Sequence, residues 1–336
     1  MRSFGNYMQD WLYGKKGYYR KAIVGKKGDF YTSVSSSKFF GGTIAFYILK
    51  LLEQEKLSLP LKVIEIGAHY GECLLDVAKF LDTLGIEVVS KCEFISIEPL
   101  EELQQIQQSL FKDSFHFYAT TLKDLHISKQ DNVFVFSNEL FDAFACEIIK
   151  DNQMLFVDEK HMGVWDKIDE PTSELLATLK IKEGHIPLDL HSFFKELFER
   201  LNKAHQWMFL SFDYGDEKPR KDMHLRAYKE HRVLDFQDIL NNLSNLYQQS
   251  DLTYDVDFSL IRSIVESGGG HFSFYKTQAQ ALLDMGLMEL LELFSQSVGY
   301  EKYLKEVAKV KPLISPGALG ERFKAIEFVK KASEFQ

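Results

Sequence analysis

Cysteine is scarce: Cys73, Cys92 and Cys146 are the only three in 336 residues. Their odd number and the lack of C-x-x-C or Cys/His spacing exclude a disulfide framework and a metal site as organising features, and suit a reducing compartment. No apolar run is long enough for a membrane-spanning helix, and the N-terminus lacks the apolar core of a signal segment, so a cytoplasmic protein without membrane insertion is expected. Internal repeats and Pro/Ser-rich linkers are missing, which leaves domain boundaries to be read from changes of pattern. Basic charge is in deficit, with 40 Lys and Arg against 49 Asp and Glu and a net charge of −9, which argues against a nucleic acid as the main partner. The N-terminus is the local exception, with Arg2, Lys15, Lys16, Arg20, Lys21, Lys26 and Lys27 against Asp10 and Asp29. That stretch reads either as a solvated basic face or as a docking surface for an acidic partner.

What the chain has in quantity is apolar and aromatic side chains, 45% and 14% of its residues, enough for a sizeable core and against disorder. Residues 62–66 are short, apolar and largely β-branched, as suits a strand covered on both faces. Gly67 and Gly71 bracket the turn that follows, and helical periodicity runs over 72–84. Strand candidates at 92–97, 115–119, 133–137 and 207–212 alternate with helical stretches at 100–111 and 190–204, the pattern of βαβ units and a parallel sheet. On the 100–111 helix, Leu103, Ile106 and Leu110 read as the apolar side. Strands at 271–275 and 322–328 close the chain as an antiparallel edge hairpin, after helices over 278–294 and 300–307. The organisation expected is an α/β fold with a helical N-terminal cap and lid over 1–58, a core over 59–147 and 205–336, an insertion with a hairpin and helix over 148–204, and an irregular insertion over 216–256.

Right-handed crossovers bring the strand ends to one edge. That edge would carry Glu65, Gly67 and Gly71; then Glu98; then Asn138, Glu139 and Asp142; then Asp213. A strand, glycine turn and helix N-terminus make a cofactor cradle, although G-x-G-x-x-G and the P-loop pattern are both absent. Glu98 is placed to accept from both hydroxyls of a ribose, or equally to serve the N-terminal region of the next helix. Glu65 inside an apolar strand needs backbone N–H groups or a ligand ammonium. The pyrophosphate of NAD would be repelled there, whereas the ammonium and sulfonium of S-adenosyl-L-methionine would not, so the latter is the favoured cofactor. Asn138, Glu139 and Asp142 would face the reacting centre, where paired carboxylates can hold a guanidinium; the alternative is that they cap the following turn.

Gly28-Asp29-Phe30-Tyr31-Thr32, Phe40-Gly41, the Glu65 turn, Ile97-Glu98-Pro99, Asn138-Glu139-Leu140-Phe141-Asp142-Ala143, Asp213-Tyr214-Gly215, Leu225-Arg226-Ala227-Tyr228 with His231, Val256-Asp257-Phe258 and Thr277-Gln278 occur in the order seen in the MidA-like family, which this chain resembles. The resemblance implies a class I methyltransferase (Rossmann-like) fold and S-adenosyl-L-methionine as cofactor. It also implies a protein arginine as substrate, on a subunit of respiratory complex I in mitochondrial members, with a homodimer as one option for assembly. The cofactor contacts it implies are Glu65, Gly67, Ala68, His69, Gly71, Glu98, Pro99, Asn138, Asp29 and Thr32, and the catalytic residues Glu139, Asp142 and Asn138. Where the family keeps Gly-Pro-Gly, this chain has Gly67-Ala68-His69, so the His69 side chain is expected to point to solvent. The alternative to an enzyme is an assembly factor that keeps the fold with weak or no transfer.

Overall fold

A computed structural model describes residues 1–20, 33–112, 114–218, 222–230 and 232–330. They fall into two compact units. The first holds the described parts of Thr32–Leu140, Phe194–Asp213 and Arg262–Gln336; the second holds those of Met1–Tyr31, Phe141–Phe193 and Tyr214–Ile261.

The first unit is built on β1 (Leu61–Ile66), β2 (Cys92–Ile97), β3 (Phe117–Thr120), β4 (Asn132–Asn138), β5 (Gln206–Asp216, as far as Asp213), β6 (Gly270–Thr277) and β7 (Phe323–Lys330). Their order across the sheet is β6-β7-β5-β4-β1-β2-β3. The pairs β1–β2, β1–β4, β2–β3 and β4–β5 are parallel, and β6–β7 is antiparallel. This is the doubly wound arrangement expected, with its antiparallel edge, and the chain reverses direction across the sheet between β1 and β4. Ligands of such sheets bind outside the strand C-termini at that switch point.

Alternation along the strands divides the apolar residues between two faces. Val63, Phe94, Phe134, Phe136 and Leu210 join α1 (Phe39–Glu53) and α2 (Glu72–Leu84) in one core, where Phe39, Phe40, Ile44 and Ile48 are fully buried. Helix α1 lies against α2 through Gly41, where a Cβ would stand 2.8 Å from the Asp76 Cβ and 2.9 Å from the Cys73 carbonyl oxygen. Gly41→Leu is therefore expected to force the helices apart and to cost about 1–3 kcal/mol. A urea midpoint equal to that of the parent chain would show that they separate freely.

Three local readings need correction. In α3 (Glu101–Phe111) the buried line is Leu103, Gln107 and Phe111, while Ile106 and Leu110 are exposed; Gln107, one turn beyond Leu103, occupies a place that apolar periodicity assigns elsewhere. The helix expected over 278–294 divides at Gly286, in the left-handed region at φ 107°, into α4 (Gln278–Met285) and α5 (Leu287–Ser297). The 216–256 segment is not irregular. Arg226–Lys229, Arg232–Leu234 and Asp251–Thr253 form a three-stranded sheet, joined by helices Phe236–Asn241 and Leu243–Leu246. Strands of three and four residues are too short to display a period.

The second unit contains helix Phe4–Tyr13, capped by the Ser3 hydroxyl, and a five-stranded antiparallel sheet that includes the expected hairpin, Cys146–Lys150 with Gln153–Val157. Phe4, Tyr7, Trp11, Ile148, Leu155 and Leu252 share its core. Residues 1–58 consequently do not form one cap, since Phe4–Tyr13 and α1 belong to different units.

Candidate active site

The turn after β1 is tightly wound. Gly67, His69 and Gly71 all have positive φ, at 71°, 48° and 80°, a region that glycine adopts freely and histidine rarely. The Gly67 N–H donates to the Ile97 carbonyl at 2.9 Å, and the Gly71 N–H to that of Ala68 at 2.7 Å. Among the described residues a Cβ on Gly67 would meet only the Leu140 side chain within 4 Å, leaving that face of the turn otherwise clear of them. Glu65 caps α2 from the strand, its Oε2 accepting from the Leu74 N–H at 3.0 Å. The backbone partner that a carboxylate needs in an apolar strand is thus present.

Glu98, at the end of β2, is 4% exposed. Its carboxylate accepts from the Leu100 N–H at 3.1 Å and from the His69 N–H, tying β2 to the first turn. Pro99 beside it is exposed and Ala68 is buried. Burial pushes Glu65 up to about 8 and Glu98 up to about 7. His69 does not point to solvent as expected: its ring packs 4.1 Å from that of Tyr70, its Nε2 is buried, and burial lowers its pKa to about 4. The αL backbone turns the ring inward, beside the carbonyl that accepts from Gln107 Nε2 at 2.7 Å.

At the end of β4, Asn138 Nδ2 donates to Glu139 Oε1 at 2.9 Å, and the Ser33 N–H reaches the same oxygen at 3.3 Å. Glu139 has φ 53°, and the next N–H, of Leu140, donates to the fully buried Asp213 at 3.0 Å. Glu65, Gly67, Ala68, His69, Gly71, Glu98, Pro99, Asn138 and Glu139 therefore all stand on the C-terminal edge of one sheet. Asp142 is in the other unit, where its Oδ2 accepts from the Thr253 hydroxyl at 2.7 Å beside the Arg226 guanidinium. Asp29, Thr32 and His231 lie outside the described residues, as do residues 21–32 of the expected N-terminal cap and lid.

Sequence reasoning missed Gln107 and Ser33. Gln107 was detectable as a polar residue one turn from Leu103 and from Phe111; Ser33 stands one place beyond the Asp29 motif and carries no signal of its own. Three buried polar atoms on this edge, His69 Nε2, Gln107 Oε1 and Asn138 Oδ1, have no hydrogen-bond partner among the described residues. Unmet donors and acceptors of this kind call for a ligand that offers both. The hydroxyls, ammonium and carboxylate of S-adenosyl-L-methionine meet that demand.

The raised carboxyls also make stability depend on pH. Glu65 and Glu98 bind protons more tightly in the folded state than at their ordinary value of 4.5. Their contribution is complete below about pH 4.5 and is lost as pH rises through about 7 and 8, on the order of a few kcal/mol. Urea midpoints of the cofactor-free protein should fall across that window, and Glu65→Gln should flatten the fall. A wild-type profile already flat there would contradict the assignment.

The family model described as "Putative S-adenosyl-L-methionine-dependent methyltransferase" matches residues 43–275. The rat mitochondrial protein arginine methyltransferase NDUFAF7 is 23% identical over 92% of this chain and 76% of its own length. The homologue from Drosophila melanogaster is 24% identical over the same shares. Among solved structures, a Burkholderia thailandensis protein bound to S-adenosyl-homocysteine has the same fold, with a TM-score of 0.77 at 21% identity, over 98% of this chain and 87% of that one. With the switch-point edge, its orphaned polar atoms and a family match that takes in most of the chain, the protein belongs to the MidA-like family of S-adenosyl-L-methionine-dependent methyltransferases.

Proposed function

We propose that the protein transfers the methyl group to an arginine of a protein substrate, in keeping with the names of its rat and fly relatives. By the family resemblance, a respiratory complex I subunit is the first substrate to try. The observation that carries this reading is Glu139, a carboxylate fixed at the end of β4 by Asn138 Nδ2 and the Ser33 N–H. The bound cofactor supplies an electrophilic methyl on a sulfonium, displaced in line. Glu98 would hold the ribose, while the Gly67–Gly71 turn and the buried polar atoms of His69 and Asn138 would orient the amino-acid end. Glu139 would align the guanidinium by charge-assisted hydrogen bonds and accept the proton that the nitrogen loses as it gains the methyl carbon.

The test is incubation with methyl-labelled S-adenosyl-L-methionine and a respiratory-membrane extract, followed by hydrolysis and amino-acid identification. Labelled methylarginine is expected. Label on lysine would overturn the substrate class. Cofactor binding without any transfer would favour the assembly-factor reading, to which His69 in place of the family's glycine gives its main support.

A further inference from the structure

At the N-terminal end of β5, within the first unit, lies a cavity of about 640 Å³, a size typical of small-molecule sites. Its β5 residues, Gln206 to Met208, precede Asp213 by five to seven positions, roughly 17–23 Å of strand at about 3.3 Å per residue. It is therefore separate from the cofactor edge. Leu51 of α1, Met285 of α4 and Met208 of β5 supply apolar wall.

The polar lining is unusual. Glu327 of β7 is 2% exposed, yet no ammonium or guanidinium touches it among the described residues. Among the described residues its two oxygens accept only from the hydroxyls of Tyr47 and Ser273, each at 2.8 Å. Ser273 reaches it because β6 slips register between Phe272 and Phe274, and a bulge of this kind re-aims a side chain at the cost of a regular ladder. An ionised carboxylate accepts about four hydrogen bonds, so Glu327 retains capacity for a cationic donor. Gln206 Nε2, also in the lining, is a buried donor with no partner among the described residues. Of the four lining lysines, Lys276 is paired with Asp284, Lys50 with Glu289, and Lys330 donates to the Asn202 and Ala204 carbonyls, whereas Lys56 makes no ion pair among the described residues and acts on Glu327 through its field.

A simple anion would be repelled by the carboxylate in this lining, and a simple cation by its lysines. A zwitterion answers both. We propose that this cavity is a second site, which binds a free amino acid with an apolar side chain. The ammonium would sit on Glu327, the carboxylate on the Gln206 carboxamide and Lys56, and the side chain against Met208 and Met285. Occupancy of this site does not depend on which substrate is methylated.

The test is calorimetric titration of the whole chain with L-phenylalanine, L-leucine, 3-phenylpropionate and 2-phenylethylamine, with S-adenosyl-homocysteine titrated in parallel to show that each variant is folded. At least one of the two amino acids should bind saturably, and the compounds lacking one charge should bind about tenfold or more weakly. Glu327→Gln should weaken amino-acid binding about tenfold with S-adenosyl-homocysteine affinity unchanged. If that variant does not fold, Lys56→Met, at an exposed position, should still weaken binding several-fold. Failure of both amino acids to bind at millimolar concentration would overturn the proposal. So would equal binding of 3-phenylpropionate, or affinities unmoved by the substitutions in folded protein.

Discussion

Glu98→Ala is expected to weaken S-adenosyl-homocysteine binding by about a hundredfold. Two hydrogen bonds from ribose hydroxyls to a charged acceptor are worth roughly 3 kcal/mol together, which is about two decades in affinity. The same substitution also frees the His69 and Leu100 N–H groups that the carboxylate now engages, so the first turn loses an anchor as well as the proposed ribose contact. Glu98→Gln separates the two losses, since it keeps an oxygen for the backbone. The wild-type affinity should rise as pH passes through about 7, where Glu98 ionises, and the Gln variant should lack that rise. Calorimetry from about pH 6 to about pH 8 reads both effects. Wild-type affinity in the Ala variant would remove Glu98 from the cofactor site.

Glu139→Gln should act on the chemical step instead. The side chain keeps Oε1 for Asn138 Nδ2 and the Ser33 N–H, so local structure is preserved while the charge and the proton acceptor are lost. A fall in kcat of about 10²–10⁴-fold is expected, typical of removing a positioned general base. S-adenosyl-homocysteine affinity should stay within about threefold, since no cofactor contact is removed. Asp142→Asn is the informative comparison, because Asp142 already serves Thr253 and stands beside Arg226 in the second unit. A loss of kcat at Asp142 as large as at Glu139, or no loss at Glu139, would shift the acceptor role away from β4.

The sheet was legible because its strands are buried on both faces: Leu61–Ile66, Cys92–Ile97 and Asn132–Asn138 are short, largely apolar runs, with Glu65, Glu98 and Asn138 at or next to their C-terminal ends. Polar residues at the ends of such runs must lie at the edge, which is why Glu98, Asn138 and Glu139 could be placed together from spacing. Side-chain direction was less accessible. His69 seemed free to turn outward, but its ring follows from a φ of 48°, a local angle that residue type does not encode. Gln107 escaped because an apolar stripe was sought and Ile106 and Leu110 supplied one of the right period. The three-stranded sheet between Arg226 and Thr253 escaped because its order depends on Leu225, Ala227, Leu252 and Ile239 meeting across the chain. Pairing between distant short segments leaves little local trace.

The absence of a side chain at Gly41 bears on where this chain can be cut. A protein started at residue 59 would retain every strand of the β6-to-β3 sheet, and by strand content alone would pass for a complete domain. It would lack α1, and with it the fully buried Phe39, Phe40, Ile44 and Ile48. Helix α2 would lose the surface against which its first turn is set, within 2.9 Å of the Gly41 position. Such a fragment should stain as a collapsed, dye-binding species without a cooperative melt. The smallest autonomous piece of this enzyme therefore begins upstream of Phe39, inside the segment that looks dispensable.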